Sequence, residues 1–161
     1  MTTSPGQYEG LLDDLRSPTR SLRDRLPDTW GAFASLHEEA MRDGALPAHV
    51  KELMALVASV VKRCDGCIGY HAKAAARRGA NAEEVAEALG VALLMDGGVA
   101  SVYAPRAWAA YLEFAGAAEP LSTVNDDALS IDEFRHIADE ECREIGQLFV
   151  LAETFHGNFV D

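Results

Sequence analysis

Apolar side chains return at steps of three and four residues along most of this 161-residue chain. This spacing places them on one face of an α-helix, whereas a half-buried strand would need strict alternation. The clearest case is the segment 47–63, where Pro47 suits a first helical turn. Its apolar stripe comprises Leu53, Leu56, Val57, Val60 and Val61. Because no segment of the sequence is rich in strand patterns, we predict a compact all-α fold.

Helix start and stop signals divide the chain into four parts. Residues 1–27 are polar and contain prolines, which predicts a loose arm with a short helix near residues 8–16. Residues 28–116 are predicted to form the helical core, and residues 117–129 are typical of a linker. Residues 130–161 are predicted to form an acidic C-terminal amphipathic helix and tail, because they open with the capping box S-I-D-E.

Asparagine, glycine and proline set the predicted helix boundaries inside the core. Asn81, followed three residues later by a glutamate, indicates a capping box. Gly97 predicts a break or kink, and Pro105 predicts a kink or the start of the last helix. Residues 64–66 are predicted to form a turn, so that Cys67 opens a helix. A further helix over 28–43 is expected to bury one face, formed by Trp30, Phe33, Leu36, Ala40 and Met41.

The charge distribution disfavours two classes of partner. The formal net charge is −12, whereas the phosphates of nucleic acid and anionic lipid both require a basic face. We therefore predict that the protein binds neither nucleic acid nor membrane. No apolar run approaches the roughly 18 residues of a membrane span, and the first residues lack a secretory signal pattern. These features predict a cytoplasmic protein.

The segment C-D-G-C-I-G-Y-H at residues 64–71 poses the main chemical question. The chain has three cysteines, Cys64, Cys67 and Cys142, which are too few for a disulfide scaffold. In a reducing compartment a close pair is more often catalytic or metal-binding than structural. Haem attachment is excluded, because it needs a histidine directly after the second cysteine, where this chain has Ile68.

Several interpretations of the cysteine pair stay open. Zinc could use Cys64, Cys67 and His71, but a structural site needs a fourth ligand, and none lies nearby in the sequence. A thioredoxin-type motif would lie in a βαβ setting, which the pattern does not predict. Two inert, buried cysteines are the third interpretation, although Asp65 and Gly66 beside them are atypical of an apolar core.

A redox function has positive support from helix geometry. A cysteine at a helix N-terminus lies near unpaired N–H groups and the positive end of the helix dipole, which favour the thiolate. Cys64 is near enough to form a disulfide with Cys67, and His71 lies one turn beyond Cys67 on the same face. His71 can therefore take the thiol proton directly or through a water. Glu52 is the candidate to orient the imidazole, although most glutamates lie on the protein surface without such a role.

The spacing E-x11-C-x2-C-x3-H, with its flanking sequence over 51–98, resembles alkylhydroperoxidase D in the carboxymuconolactone decarboxylase-like superfamily. The resemblance covers about residues 28–116. The residues at the positions of this signature are Glu52, Cys64, Cys67 and His71.

The resemblance implies an all-helical fold, usually assembled as trimers or hexamers. It implies that Cys67 attacks a hydroperoxide, that Cys64 resolves the sulfenic acid as a disulfide, and that a Glu52–His71 relay deprotonates the thiol. It also implies that no cofactor is needed beyond this disulfide, which a dithiol or lipoyl-bearing protein would reduce. The best-known members carry a second histidine just before the second cysteine, where this chain has Gly66.

Two other functions are kept as alternatives. One is a cofactor-free lactone decarboxylase or isomerase, in which a His–Glu pair transfers protons. The other is a non-catalytic oligomer whose cysteine pair senses oxidation. Glu133 and His136 form an E-x-x-H pair, but a di-iron site would need a second such pair and two further glutamates. His37, His49 and His156 are interpreted as surface or capping residues.

The acidic tail generates the first testable prediction. Residues 149–160, F-V-L-A-E-T-F-H-G-N-F-V, carry large apolar groups where chain ends are normally polar and frayed. We predict that the tail packs in an oligomer interface or docks a partner. Deleting residues 119–161 is expected to change subunit number or solubility while the thiol chemistry persists. Identical light scattering from the full and truncated chains would contradict this prediction.

Overall fold

The computed structural model describes residues 6–116, which form five α-helices in that part of the chain. The prediction of an all-α fold is confirmed. The predicted linker over 117–129 and the predicted helix and tail over 130–161 lie outside the described residues. The five helices are α1 (Gln7–Arg23), α2 (Pro27–Met41), α3 (Ala48–Val61), α4 (Asp65–Arg77) and α5 (Ala82–Ala115).

The core is built by α3, α4 and α5, which pack on one another. The predicted inner stripe of α3 is buried at Leu53, Leu56 and Val60, whereas Val57 is half-buried and Val61, at the end of the helix, is exposed. The facing positions of α4 and α5 are mostly alanines, whose small side chains let helix backbones approach closely. Buried positions on these two helices are Ile68, Gly69, Ala72, Ala75, Val85, Leu89, Ala92, Ala100, Ala104, Ala107, Ala110 and Tyr111.

The N-terminal helix α1 is longer and better anchored than the predicted short helix in a loose arm. Tyr8 is 3% exposed and packs close to Gly69 of α4, where a Cβ atom would lie 3.2 Å from the tyrosine ring. The Glu113 carboxylate accepts hydrogen bonds from the backbone N–H groups of Tyr8 (3.1 Å) and Glu9 (2.7 Å), so α5 caps α1. Burial, and next the charge of Asp65, raise the pKa of the Tyr8 phenol.

The connection between α3 and α4 differs from the predicted turn at residues 64–66. α4 begins at Asp65, and the N-cap residue is Cys64, whose Sγ accepts a hydrogen bond from the backbone N–H of Cys67 at 3.3 Å. The chain reverses just before, at Arg63, whose φ of 56° is left-handed. Because the Cys64 side chain caps the helix, Cys67 lies inside the first turn of α4 and does not open it.

The helix α5 begins and bends largely as predicted. Asn81 and Glu84 form a reciprocal capping box with two 2.9 Å hydrogen bonds. The predicted kink is at Gly97, whose φ of 48° and ψ of −128° are not helical. The prediction that Pro105 marks a kink or a helix start was wrong, because the helix has already been interrupted at Gly97 and continues through Pro105.

Large apolar side chains of α2 and α5 are exposed. The prediction that α2 buries one face was wrong: none of its residues is buried, and Phe33 and Leu36 are 61% and 67% exposed. The reason is that α2 packs only lightly, on α3. On α5, Leu94 and Met95 are 76% and 73% exposed. Within residues 6–116, exposed apolar side chains also occur on α1, at Leu15 and Leu22, and on α3, at Met54.

The helix α5 also corrects the expectation that no apolar run approaches the length of a membrane span. By length and composition alone it could cross a bilayer, and less than a quarter of its most apolar stretch is buried. A single helix of this kind is weak evidence, because core helices of soluble proteins meet the same criterion.

Candidate active site

A buried carboxylate lies at the centre of the site. Glu52 of α3 is 1% exposed, and each of its oxygens has a cationic or potentially cationic partner. The Nδ1–H of His71 donates to Oε2 at 2.9 Å, and the Nε of Arg78 forms an ion pair with Oε1 at 3.1 Å. A buried carboxylate without such partners would be strongly unfavourable. Glu52 therefore differs from most glutamates, which lie on the protein surface.

The hydrogen bond that His71 donates to Glu52 determines which nitrogen of the imidazole is available. With its hydrogen on Nδ1, the neutral imidazole has Nε2 as its proton acceptor. The ring is also held by Tyr70, which packs against it edge to face with centroids 5.2 Å apart. Position and tautomer of His71 are thus fixed by neighbours on both α3 and α4.

The two cysteines are joined in a disulfide at the start of α4. Their Cα atoms are 5.2 Å apart, and both residues are half-buried. Cys67 precedes His71 by one helical turn, and both residues line the same cavity of about 450 Å³. The structure therefore brings together all four residues of the predicted site: the disulfide, the imidazole and the carboxylate behind it.

The wall of this cavity combines α2 and α4. Its volume lies within the range of small-molecule sites, and aromatic side chains dominate the part contributed by α2. The lining residues are Trp30, Phe33, Ala34, His37, Gly66, Cys67, Tyr70 and His71. The cavity can hold a small organic molecule next to the disulfide.

His37 is a site residue that the sequence analysis missed. Its interpretation as a surface or capping residue was wrong: it is half-buried, and its ring packs edge to face on Tyr70 with centroids 5.8 Å apart. His49 does lie away from the cavity, with Nε2 at 3.5 Å from a Glu84 oxygen. His156, Glu133 with His136, and Cys142 lie outside the described residues.

Arg78 is the second residue that the sequence analysis missed. It follows His71 by seven positions, which places both on one helical face, and that spacing was the available signal. A second cavity of about 220 Å³ is lined by three basic side chains, those of Lys73, Arg77 and Arg78. His37 and Tyr70 line this cavity too. Within residues 6–116, no three His, Cys, Asp or Glu side chains are arranged to hold a metal ion.

Fold and site together define an all-helical protein in which a C-x-x-C disulfide adjoins a buried carboxylate–imidazole pair. The model of the carboxymuconolactone decarboxylase family matches residues 27–115, more than half of the chain. The chain therefore belongs to the carboxymuconolactone decarboxylase family.

The chain is similar to proteins of three bacteria, two of which are described as members of this family. An uncharacterised protein of Cupriavidus necator is 37% identical over 98 residues, which cover 61% of this chain and 87% of the relative. The crystal structure of lpg0406, a family member from Legionella pneumophila, has a TM-score of 0.66 at 36% identity and covers 68% of this chain and 97% of that chain. The crystal structure of TM1620, a family member from Thermotoga maritima, has a TM-score of 0.57 at 33% identity. The match covers 66% of this chain and 96% of that chain, and TM1620 is described as possibly involved in an antioxidative response.

The pairing of Arg78 with Glu52 yields a stability prediction. Replacing Arg78 by methionine keeps an unbranched side chain but leaves one oxygen of a buried carboxylate without its partner. Because Arg78 is itself 41% exposed, water can compensate in part, and we expect the free energy of unfolding to fall by about 1–3 kcal/mol. Urea denaturation of the reduced protein measures this change. Arg77→Met, one position earlier, is the matched control, and an equal loss in both variants would contradict the prediction.

Proposed function

We propose that this protein is a thiol-dependent peroxidase that reduces hydroperoxides through Cys64 and Cys67. The observation that carries the proposal is the disulfide on a cavity that also contains His71, whose Nδ1 is bound to the buried Glu52 carboxylate. Membership of a family that includes enzymes, and the antioxidative connection of the Thermotoga relative, support it.

The first step is activation of the Cys67 thiol. In the reduced protein, Nε2 of His71 accepts the thiol proton, directly or through one water, and the Glu52 carboxylate stabilises the resulting imidazolium. The position of Cys67 in the first turn of α4 favours the thiolate further, because unpaired N–H groups gather there. The Cys67 thiolate is therefore the nucleophile.

The second step consumes the peroxide. The thiolate of Cys67 attacks the terminal oxygen of ROOH, so that an S–O bond forms, the O–O bond breaks and RO⁻ leaves. The imidazolium of His71 supplies the proton that turns RO⁻ into ROH. The Cys64 sulfur then attacks the sulfenic acid on Cys67, which forms the disulfide and releases water.

The third step returns the protein to its dithiol form. We propose that a dithiol, such as a lipoyl-bearing protein, attacks the sulfur of Cys67, which lines the cavity. The leaving sulfur is then that of Cys64, where the N–H of Cys67 and the end of α4 stabilise a thiolate. Two thiols of the donor are oxidised to a disulfide as the Cys64–Cys67 disulfide is reduced.

Exposed apolar side chains support a homo-oligomer. Contact with a second copy of this chain would bury apolar surface on two helices. The side chains concerned are Leu94 and Met95 of α5 and Phe33 and Leu36 of α2. We therefore propose assembly through these helices, with the trimer or hexamer implied by the family resemblance as the expected size. A cytoplasmic location stays a prediction.

A second candidate function is proton transfer without thiol chemistry. The His71–Glu52 pair could transfer protons by itself, because the same 2.9 Å hydrogen bond orients the imidazole. The family also takes its name from a lactone decarboxylase. Such an enzyme would not need Cys67. Its activity would therefore survive Cys67→Ser, whereas peroxide reduction would not.

Cysteine variants test the proposed peroxidase. Cys67→Ser is expected to abolish consumption of tert-butyl hydroperoxide with a dithiol donor, since the nucleophile is lost. Cys64→Ser is expected to consume one equivalent and then stop, because Cys67 remains a sulfenic acid that dimedone can trap. Cys142→Ser is the matched control and should turn over like the wild type. Full turnover by Cys67→Ser would rule out the mechanism.

Variants of the relay test how Cys67 is activated. Both His71→Ala and Glu52→Gln should move the pH midpoint of iodoacetamide alkylation of Cys67 upwards, because the thiolate loses its proton acceptor or that acceptor loses its counter-charge. At neutral pH, alkylation is expected to slow by roughly tenfold or more. His49→Ala, which changes a histidine paired with Glu84, is the control. An unchanged midpoint in His71→Ala would exclude the relay.

A further inference from the structure

The second cavity, of about 220 Å³, adjoins the cavity that contains the disulfide. His37 and Tyr70 line both cavities, so the two spaces border on one another at these side chains. Three further side chains on the wall of the second cavity are cationic, those of Lys73, Arg77 and Arg78. The mechanism above assigns no ligand to this basic wall.

The cations of this wall outnumber its carboxylates. Within residues 6–116, Glu52 is the one acidic residue on the wall, and both of its oxygens are already engaged. The ammonium of Lys73 lies 4.9 Å from the ring centre of Phe114, a contact that supplies no negative charge. No carboxylate of the described residues pairs with Lys73 or Arg77. The wall can therefore bind an anion.

A carboxylate suits these cations. The planar guanidinium group presents paired N–H donors that match the two oxygens of a carboxylate. Arg77 is exposed and the side chain of Arg78 is 41% exposed, so a ligand can reach both groups from solvent. The wall next to Cys67 is apolar by contrast, with Trp30 and Ala34. A molecule that suits both cavities therefore carries a carboxylate at one end of an apolar chain.

The distance between the two ends of this combined site selects the length of the ligand. Cys67 and Arg77 both lie on α4, ten positions apart, which corresponds to about 15 Å along the helix axis. Tyr70 lies between them and lines both cavities. A long-chain hydroperoxide can span this distance, whereas a compact one such as tert-butyl hydroperoxide cannot. Oxidation of unsaturated fatty acids gives long-chain hydroperoxides of this kind.

We propose that Arg77 and Arg78 bind the carboxylate of a long-chain hydroperoxy acid whose peroxide group reaches Cys67. The inference rests on the proposed peroxidase function and names the substrate class of that site. The apolar chain crosses Tyr70 between the two cavities, and the guanidinium groups donate hydrogen bonds to the carboxylate. At Cys67 the S–O bond forms and the O–O bond breaks, and the imidazolium of His71 protonates the departing alkoxide. The carboxylate takes no part in these bond changes.

Matched peroxides separate the carboxylate from the chain that carries it. Reduced full-length protein is mixed with the hydroperoxide of linoleic acid or with that of its methyl ester, which has the same chain without the charge. Both are supplied in the same non-ionic detergent, and oxidation of Cys67 is followed as loss of reactive thiol. Arg77→Gln is expected to slow oxidation by the acid roughly tenfold and to leave the rate with the ester unchanged. Arg77→Lys keeps the charge and should recover much of the loss.

A binding measurement tests the basic wall apart from any turnover. Linoleic acid, which has no peroxide group, should bind the disulfide form in titration calorimetry, and Arg77→Gln should weaken this binding by roughly tenfold as well. Arg20→Gln removes an exposed arginine of α1 outside both cavities and is the matched control. It should match the wild type in the binding and in both oxidation rates.

The outcomes separate this inference from the proposed function. Equal losses with acid and ester in Arg77→Gln, or no loss with either, would overturn the carboxylate site while leaving the peroxidase standing. A loss confined to the reaction with the dithiol donor would overturn it too, because the basic wall would then serve the donor. If neither peroxide oxidises Cys67 of the wild type, the proposed function fails and the substrate class fails with it.

Discussion

The buried Glu52 carboxylate is the fixed point around which the site is arranged. Moving a carboxylate out of water costs several kcal/mol, and that cost is offset only if its partners are held in place. Both partners, His71 and Arg78, belong to α4 and its C-terminal end, while Glu52 lies in the first half of α3. The carboxylate therefore determines how the two antiparallel helices dock, and the disulfide follows because Cys67 is one turn from His71.

Close packing makes this arrangement rigid enough to orient a proton acceptor. Alanines of α4 and α5 bring the helix backbones near one another, and the leucine and valine stripe of α3 fills the remaining space. Glu52 emerges from the same helix as that stripe. Its carboxylate thus has little freedom to follow a moving imidazole, so the tautomer of His71 is set by the fold and not by solvent.

The sequence predicted those features that depend on neighbours along the chain. The stripe of α3, the capping box at Asn81 and the kink at Gly97 are local patterns, and all three are confirmed except for Val61 at the end of the stripe. The spacing of Glu52 and His71 was informative only through the family resemblance, because the two lie on different helices. The exposure of Phe33 could not be predicted, since α2 has an apolar face but little of the described chain packs on it.

Features that depend on contacts between residues far apart in the chain could not be predicted, because such contacts leave no local sequence pattern. The cap of α1 comes from Glu113, more than a hundred residues away, so α1 was expected to be short and loose. The start of α4 was misplaced because a sulfur, not one of the usual oxygen-bearing side chains, serves as its cap.

His37 of α2 lines the cavity beside the disulfide although it lies outside the C-x-x-C-x-x-x-H motif. The chain has Gly66 where the best-known relatives by resemblance carry a histidine, so the motif contains only one imidazole. The structure supplies another from α2, and its Nε2 is unpaired at a cost on the order of 1–3 kcal/mol. The cavity beside the disulfide is therefore lined by imidazoles from two helices, and only that of His71 belongs to the C-x-x-C motif.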